Sequence, residues 1–435
     1  MTTALRGFAR RAAMSGLVRS GALVFVGIIL GNAVNYAYLL LLGRTLSVLD
    51  YGAVMSLIAA ILLVHCVGGT LQTVTAKLAA DLRAAGDEQR MAAFSRAISR
   101  ISLWIAAGTT LAAAALQRPI ADYLHLDRPF LVAVAGLVAG VGFAIIFQRG
   151  CFQGFASFGA FTVSSLLDGV RTILVVPFTL ALGAMGSMLA LAGGIVVTAA
   201  YGEFALLRRF GGARVAAHLD LKRMLITAGA AGSGSLGITV LMFYDVVLAR
   251  HFLSPLEAGL YGAASLIGRV LFTVISFLPT VLLPHIAVRS VRGGSVTTIL
   301  YAAIAIAAIV IVPIGVFVAF EPGLVIRILA GRRFAPGASL VLPYVVASGA
   351  LALANVLATY SIGRHRFGFA PFLSVTAVAE IAAVVARHGS AQQIVEDIVA
   401  GHCAVCCVMT AWIVYQLIGE RAVRVEKDEP NGAAA

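Results

Sequence analysis

The stretch YLLLLGRTLSVLDYGAVMSL, from Tyr38 to Leu57, joins two apolar runs through an arginine and a short polar segment. A similar stretch, YDVVLARHFLSPLEAGLYGAASL from Tyr244 to Leu266, follows about half a chain later. In both, a tyrosine precedes an arginine, a serine precedes an acidic residue by three positions, and Tyr-Gly-Ala comes next. Apolar runs that meet at a polar turn predict a membrane-spanning helical hairpin, and the repetition predicts two similar halves.

The composition of the whole chain is that of a membrane protein. Of its 435 residues, 60% are hydrophobic and only 12% are charged, with a mean hydropathy of +0.98. A soluble protein of this size could not bury so much apolar surface. Only helices and closed barrels satisfy their backbone hydrogen bonds in lipid, and these runs are too long for barrel strands and do not alternate. We therefore predict an all-α, polytopic helical bundle.

Twelve apolar segments are long enough to cross a bilayer as helices. They cover residues 21–43, 53–76, 101–117, 130–148, 163–183, 186–207, 225–249, 259–286, 297–320, 338–362, 371–387 and 394–418. We expect a basic cytoplasmic segment, two six-helix lobes, the cytoplasmic loop between the lobes, and a cytoplasmic tail. The basic segment covers residues 1–19, and the loop between the lobes covers 211–224. The lobes cover 20–210 and 225–418, and the tail covers 419–435.

The positive charge of the chain predicts its orientation. The net charge is +13, and most of the 32 lysine and arginine residues fall in segments that are cytoplasmic if both termini are inside. Positive residues concentrate on the cytoplasmic side of membrane proteins, so we predict N-in, C-in topology. Anionic membrane lipids are the expected partners of this charge. Nucleic acid is not, because the charge is divided among many short loops.

The repeat also indicates a class of function. Six helices separate the two copies, so both halves keep the same orientation in the membrane. Two-lobed transporters with a binding cavity near the midplane contain such parallel repeats, related by an axis along the membrane normal. The alternatives are chance similarity of two apolar hairpins and a purely structural membrane protein.

Four stretches carry a resemblance to a known family. They are NYAYLLLLGRTLSVLDYG, QRGCFQGFASFGAF, FYDVVLARHFLSPLEAGLYGAA and EPGLVIRILAGRRFAPGA, and the similarity extends from residue 20 to about 365. The sequence resembles the polysaccharide and lipid-linked oligosaccharide flippases of the multidrug/oligosaccharidyl-lipid/polysaccharide (MOP) exporter superfamily. Glycine, aromatic and arginine positions account for most of the match, so it identifies the superfamily better than the substrate.

The resemblance implies two six-helix lobes around a central cavity in the bacterial inner membrane. It implies export of a polyprenyl-pyrophosphate-linked glycan, here an O-antigen (lipopolysaccharide) or exopolysaccharide repeat unit. A polysaccharide polymerase and chain-length machinery are the expected protein partners. The peptidoglycan-precursor branch usually has two further helices, which we do not find, so that substrate is disfavoured.

Polar side chains inside spans are the candidate substrate-binding residues, because each ionisable one costs roughly 2.5–3.5 kcal/mol to insert. Arg171 and Arg269 would bind pyrophosphate, which guanidinium recognises through paired hydrogen bonds. Alternatively, Arg171 pairs with Asp168 on the same helix face, and Arg269 forms a structural ion pair elsewhere. Asn32 and Asn35 would bind sugar, or join helices.

Three carboxylates are the candidate ion-coupling groups. A carboxyl in a low-dielectric cavity can take up and release a proton or bind a cation, and Asp245 is the first choice, with Asp168 and Glu380. The alternative for each is a polar cavity wall.

The repeated arginines suggest a gate. Arg44 with Asp50, and Arg250 with Glu257, would form clasps at the outer ends of helices 1 and 7. The alternative is that both arginines are interfacial anchors that extend to lipid headgroups.

No cofactor or catalytic group is expected. The chain has no P-loop, and the C-x-x-C within HCAVCC lies inside a span, where cysteine usually behaves as a small hydrophobe. We therefore expect a transporter without a metal site. The rival functions are a cation-coupled multidrug exporter of the same superfamily and a membrane-embedded glycan polymerase or ligase.

Overall fold

The computed structural model describes residues 30–210, 221–279, 286, 297–364, 366 and 368–428, with side chains of 221–235 and 420–428 excepted. Every regular element in these ranges is helical. The chain divides into two compact units, Met1–Gly232 and Ser233–Ala435. The predicted segment 1–19, the start of the first predicted span and most of the predicted inter-lobe loop lie outside the described residues.

In the first unit, the described residues contain a first helix and five segments that are long and apolar enough to cross a membrane, two of which are interrupted. The helices are α1 (through residues 30–45), α2 (Val48–Val64), α3 (Gly68–Ala84), α4 (Glu88–Ala115), α5 (Gln117–Tyr123), α6 (Phe130–Gly154), α7 (Phe158–Leu167), α8 (Val170–Leu182) and α9 (Ala184–Phe210). A 3₁₀ turn at His65–Val67 joins α2 to α3, so together they form one long segment. A short turn likewise joins α7 to α8.

The regular elements described in the second unit are helices as well. This unit contains most of α10 (Leu221–Phe252), then α11 (Pro255–Ile275), α12 (Thr297–Phe320), α13 (Pro322–Leu329), α14 (Val341–Gly363), α15 (Ala370–Ala386) and α16 (Ala391–Asp428), with a 3₁₀ segment at Arg332–Leu340. The first ten residues of the predicted tail are helical, because α16 continues to Asp428.

The helices have the character of a membrane bundle. Within the described ranges, nine segments are long and apolar enough to cross a membrane, and Ala370–Ala386 is a shorter apolar helix. Each of the twelve predicted spans coincides with helix in the described residues. Large apolar side chains face outward, as Trp104, Ile173 and Phe320 do at 72%, 76% and 80% exposure. In lipid such exposure is favourable, so these faces need no protein cover.

Small residues allow the closest helix packing in the first unit. A Cβ added at Gly140 of α6 would lie 2.7 Å from the backbone oxygen of Ala106 in α4. Gly136, one turn earlier, packs against Ala113 in the same way. Membrane helices are held largely by such van der Waals contact, because lipid provides no hydrophobic drive for association. This packing fixes α6, which carries part of the polar site described below.

The repeated Ser-x-x-Asp/Glu element is a helix N-cap in both units. The Ser47 hydroxyl accepts from the backbone N–H of Asp50 at 3.1 Å and donates to its carboxylate at 2.9 Å, at the start of α2. Ser254 and Glu257 form a complete capping box at the start of α11. Caps satisfy N–H groups that have no partner within the helix. Helix termination therefore accounts for this part of the repeat.

Candidate functional site

A cleft of about 280 Å³ lies within the first unit, among α1, α3, α6 and the α7–α8 segment. Its lining is polar and contains two arginines, one aspartate and four carboxamides: Arg149, Arg171, Asp168, Asn32, Asn35, Gln72 and Gln153. Three of the four predicted substrate-binding residues are in this set, together with one predicted coupling residue. The structure thus brings together side chains that are up to 139 positions apart in the sequence, from Asn32 to Arg171.

The aspartate of the cleft pairs with an arginine from another helix. Arg149 Nη2 is 2.8 Å from Asp168 Oδ2, and the same guanidinium donates to the backbone and hydroxyl oxygens of Ser164. The pairing of Asp168 with Arg171 expected from their spacing is therefore not the one formed. The reason is local, since α7 ends at Leu167 and the helix restarts only at Val170, which breaks the regular face the two residues would share.

Arg171 is held in place by α1 and α9, and no carboxylate among the described residues forms an ion pair with it. Its Nη2 donates to Asn35 Oδ1 at 3.0 Å, and its guanidinium lies 5.7 Å from the ring centroid of Tyr38. The Tyr38 hydroxyl in turn donates to the backbone oxygen of Ser187. Among the described residues, the buried Nε of Arg171 has no hydrogen-bond partner. One donor of this cation is therefore unsatisfied in this conformation.

The described residues that line the cleft include two arginines and one aspartate, so this lining carries one positive charge in excess. Gln72 Nε2 donates to Gln153 Oε1 at 3.2 Å, which leaves amide donors and acceptors along the wall. An excess of guanidinium with several carboxamides suits an anionic ligand that also has hydroxyl groups. Sequence reasoning missed Arg149, Gln72 and Gln153. It ended the fourth span at residue 148, whereas α6 extends to Gly154 and brings Arg149 and Gln153 into the cleft.

Arg269, the remaining predicted substrate-binding residue, lies in the second unit within a buried ion pair. Its Nη2 is 3.1 Å from Asp245 Oδ1, and the Tyr261 hydroxyl donates to Oδ2 of the same carboxylate at 3.0 Å. The guanidinium also lies 4.9 Å from the ring centroid of Phe243. Arg269 has no acidic residue within one turn of its own helix, and its partner is Asp245 on α10. The pair is neutral and almost fully buried.

Glu380, a predicted coupling residue, occupies a second buried cluster in this unit. Its Oε1 accepts from the Tyr244 hydroxyl at 2.8 Å, and His402 Nε2 is 3.4 Å from the same oxygen. Glu380 packs against Gly401, where an added Cβ would overlap its Oε2. Sequence reasoning missed His402, because it was considered only with the neighbouring cysteines and not as an ionisable group inside a span.

The predicted gate residues lie at the helix starts described above. Asp50 and Glu257 both bond to the capping serines, and Arg250 Nη1 is 3.5 Å from the backbone oxygen of Pro255. The clasp stays a prediction. Over the described ranges of the chain, no cluster of three or more histidine, cysteine, aspartate or glutamate residues has the geometry to hold a metal ion.

Comparison with known proteins identifies the fold. No protein-family model and no curated protein sequence matches the chain. Among solved structures, it is similar to an inward-facing multidrug resistance MATE family transporter of the MOP superfamily, with TM-score 0.75, 14% identity, and coverage of 92% of this chain and 96% of that one. It is also similar to the lipid II flippase MurJ in an inward closed conformation, with TM-score 0.70, 10% identity, and coverage of 91% and 87%.

A MOP superfamily transporter from Pyrococcus furiosus matches with TM-score 0.59 and 15% identity over 90% of this chain and 94% of that one. All three structures are of transporters or flippases rather than enzymes. At such identities the likeness concerns the fold alone, and it confirms the predicted all-α, polytopic helical class.

Proposed function

We propose that this chain translocates a polyprenyl-pyrophosphate-linked oligosaccharide, an O-antigen or exopolysaccharide repeat unit, across the bacterial inner membrane. The fold likeness to transporters that include a lipid II flippase supports a carrier. The resemblance of the sequence to polysaccharide flippases supports a glycolipid substrate. The repeat within the chain supports alternating access, in which each unit moves as a body.

The observation that carries the proposal is the state of Arg171. It is a guanidinium inside the polar cleft, bound to an amide rather than a carboxylate, with its Nε buried and unsatisfied among the described residues. Burying a cation without an anion is costly, so a site built this way gains when an anion enters. A phosphate oxygen of the glycolipid is such an anion, and guanidinium binds it with directional, charge-assisted hydrogen bonds.

The side-chain carboxamides of the cleft would bind the sugar. Asn32, Gln72 and Gln153 present donors and acceptors beside the arginine. Sugar hydroxyls both donate and accept, which matches carboxamides better than it matches purely cationic side chains. The turn between α6 and α7, next to the cleft, is predicted to be cytoplasmic. The headgroup would therefore load from the cytoplasm while the lipid tail stays in the bilayer.

A cation-coupled multidrug exporter is the second candidate, favoured by the acids and tyrosines of the second unit. Asp245 and Glu380 lie among Tyr244, Tyr261 and Tyr344, a composition suited to a hydrophobic cation. Against this, Arg269 already neutralises Asp245. A glycan polymerase or ligase is the third candidate, and it would need catalytic groups on the outer segment around Arg332–Leu340.

The test is flipping of a fluorescent polyprenyl-pyrophosphate oligosaccharide in proteoliposomes. Wild type is compared with Arg171→Ala, with Arg171→Lys, and with Arg118→Ala, an exposed arginine outside the cleft. We expect Arg171→Ala to slow flipping about 10- to 100-fold, since hydrogen bonds to charged groups contribute roughly 1.5–3 kcal/mol. Arg171→Lys should recover part of the loss, and Arg118→Ala should match wild type. Thermal unfolding of each variant verifies folding.

Three results would overturn the proposal. Equal flipping by folded wild type and Arg171→Ala would remove the cleft from the mechanism. Export of a hydrophobic cation by wild type, with the glycolipid left in place, would establish the multidrug exporter. Conversion of the glycolipid to a longer glycan would establish the polymerase.

A further inference from the structure

His402 has a fixed hydrogen position on one of its ring nitrogens. Its Nδ1 is 3.1 Å from the backbone oxygen of Ala347 in α14. A carbonyl oxygen can only accept, so Nδ1 must carry the hydrogen. In the neutral ring Nε2 is then an acceptor. The group that faces Nε2 therefore decides whether the site takes up a proton.

Nε2 faces the carboxylate of Glu380. It is 3.4 Å from Oε1, and both side chains are almost completely buried, at 4% and 0% side-chain exposure. A neutral imidazole and an ionised carboxylate would place two acceptors against each other and leave a buried negative charge. Two protons would instead leave a buried imidazolium without an anion. One proton held by either group makes the pair neutral overall, although Nε2 and Oε1, at 3.4 Å, are not aligned for a hydrogen bond in the described conformation.

The groups around the pair are already balanced in charge. Tyr244 of α10 donates to Glu380 as a neutral hydroxyl. The neighbouring Asp245 is neutralised by Arg269 of α11. On α16 itself, Asp397 is bound by Arg387, whose Nη1 lies 3.0 Å from Oδ1. No net charge from these elements competes for the proton, so the charge of the site is set by Glu380 and His402 together.

The surroundings of Glu380 fit a proton better than a metal cation. A hard cation binds several oxygen ligands at once. Here Oε1 already accepts from Tyr244, and Gly401 of α16 packs so closely that an added Cβ would overlap Oε2. The His402 ring nitrogen occupies the remaining approach to Oε1. A proton needs no such coordination space.

We propose that Glu380 and His402 together form the proton-binding site of the second unit, that the pair holds one proton at neutral pH, and that Asp245 stays ionised beside Arg269. His402 thereby becomes a functional residue. The use of this site to drive transport rests on the proposed function, because a proton that enters or leaves the pair would change the charge of α15 and α16 during the cycle. The presence of the site does not depend on the substrate.

The direct test is infrared difference spectroscopy on the purified full chain in lipid nanodiscs, with isotopically labelled histidine. Spectra at neutral pH are compared for wild type, Glu380→Gln, His402→Gln and Asp245→Asn. The control is Glu396→Gln, which replaces an exposed glutamate on α16, the helix of His402. We expect either the carboxylic-acid band of Glu380 or the imidazolium band of His402, but not both. The observed band should disappear in Glu380→Gln, change in His402→Gln, and persist in Glu396→Gln.

Other results would overturn the proposal. These are a spectrum in which both groups are protonated, a spectrum in which neither is, or a protonated carboxyl that disappears only in Asp245→Asn. Thermal unfolding identifies misfolded variants, and His402→Asn serves as a second replacement if His402→Gln does not fold. If the one-proton signature is found but wild type does not flip the glycolipid, the proton site stands and the proposed function fails.

Discussion

Asp168 is bound to Arg149, at 2.8 Å, and not to Arg171, three positions further along the chain. This choice of partner determines the charge of the cleft. Had Asp168 paired with Arg171, the free cation would be Arg149 near the end of α6. Instead, among the described residues of the cleft, Arg171 is the arginine without an ion pair, and Asn35 and Tyr38 fix it in the interior of its span. The residue that the sequence suggested for phosphate therefore keeps its charge available.

Replacing Asp168 by Asn should weaken the fold while strengthening anion binding. Arg149 loses its carboxylate, and the excess charge of the cleft rises by one. We expect a loss of roughly 1–3 kcal/mol, less than for a fully buried pair, because about a fifth of each side chain is exposed. Chemical unfolding in detergent measures the loss, and the shift of the thermal midpoint with added sugar pyrophosphate reports binding.

The matched control for this prediction is Asp87→Asn. Asp87 pairs with Arg90 at the surface, where their side chains are 35% and 75% exposed, and Asn caps a helix as well as Asp does. It should change stability by no more than about 0.5 kcal/mol. If Asp168→Asn proves as mild as this control and binds the anion no better, the Arg149–Asp168 pair does not set the charge of the cleft.

Replacing Asp245 by Asn should be far more damaging. Arg269 would remain buried without its carboxylate, which costs about 3–5 kcal/mol in comparable sites. The double variant Asp245→Asn/Arg269→Met removes both charges and should recover most of this loss. The free energies of unfolding of Asp245→Asn, Arg269→Met and the double variant together give the coupling energy between the two residues. A stable Asp245→Asn protein that loses only its dependence on a proton gradient would instead support the coupling role expected from the sequence.

The features that the sequence predicted well are those that depend on composition and spacing. Twelve spans follow from apolar run length. Asn32, Asn35 and Arg171, polar residues predicted inside spans, lie together in the cleft, and their role in binding substrate stays a prediction. Which polar groups meet depends on packing between helices distant in sequence. The Arg149–Asp168 contact and the His402–Glu380 contact are of this kind. A single sequence contains no direct signal for them.

The gate interpretation illustrates the same limit at short range. The repeated Ser-x-x-Asp/Glu element was interpreted through its arginine neighbours, although the spacing of the serine and the acid is that of a capping box. The capping signal is local and can be read from the sequence, whereas the clasp with Arg44 and Arg250 stays a prediction. The structure assigns Asp50 and Glu257 to the caps.

Two variants of the second cap separate capping from a charged clasp. Ser254→Ala removes the acceptor for the Glu257 N–H and should cost about 0.5–2 kcal/mol. Glu257→Gln keeps a side-chain oxygen at this position, so stability and transport should change little. Unfolding and flipping assays check both, with Ser374→Ala, an exposed serine inside α15, as the control. Loss of transport in a stable Glu257→Gln protein would favour the clasp with Arg250.

Two glycines of α16 give the sharpest test of the packing around Glu380. Gly401→Ala would place a Cβ into the Glu380 carboxylate, whereas Gly419→Ala meets nothing within 4 Å. We expect Gly401→Ala to destabilise by about 1–3 kcal/mol through overpacking. Gly419→Ala should be neutral or stabilise by up to about 1 kcal/mol, because alanine favours the helix interior. Both replacements make the same chemical change on one helix, so the difference between their unfolding midpoints isolates the contact. Equal midpoints would mean that Glu380 does not lie against Gly401, and the one-proton pairing with His402 would lose its geometric basis.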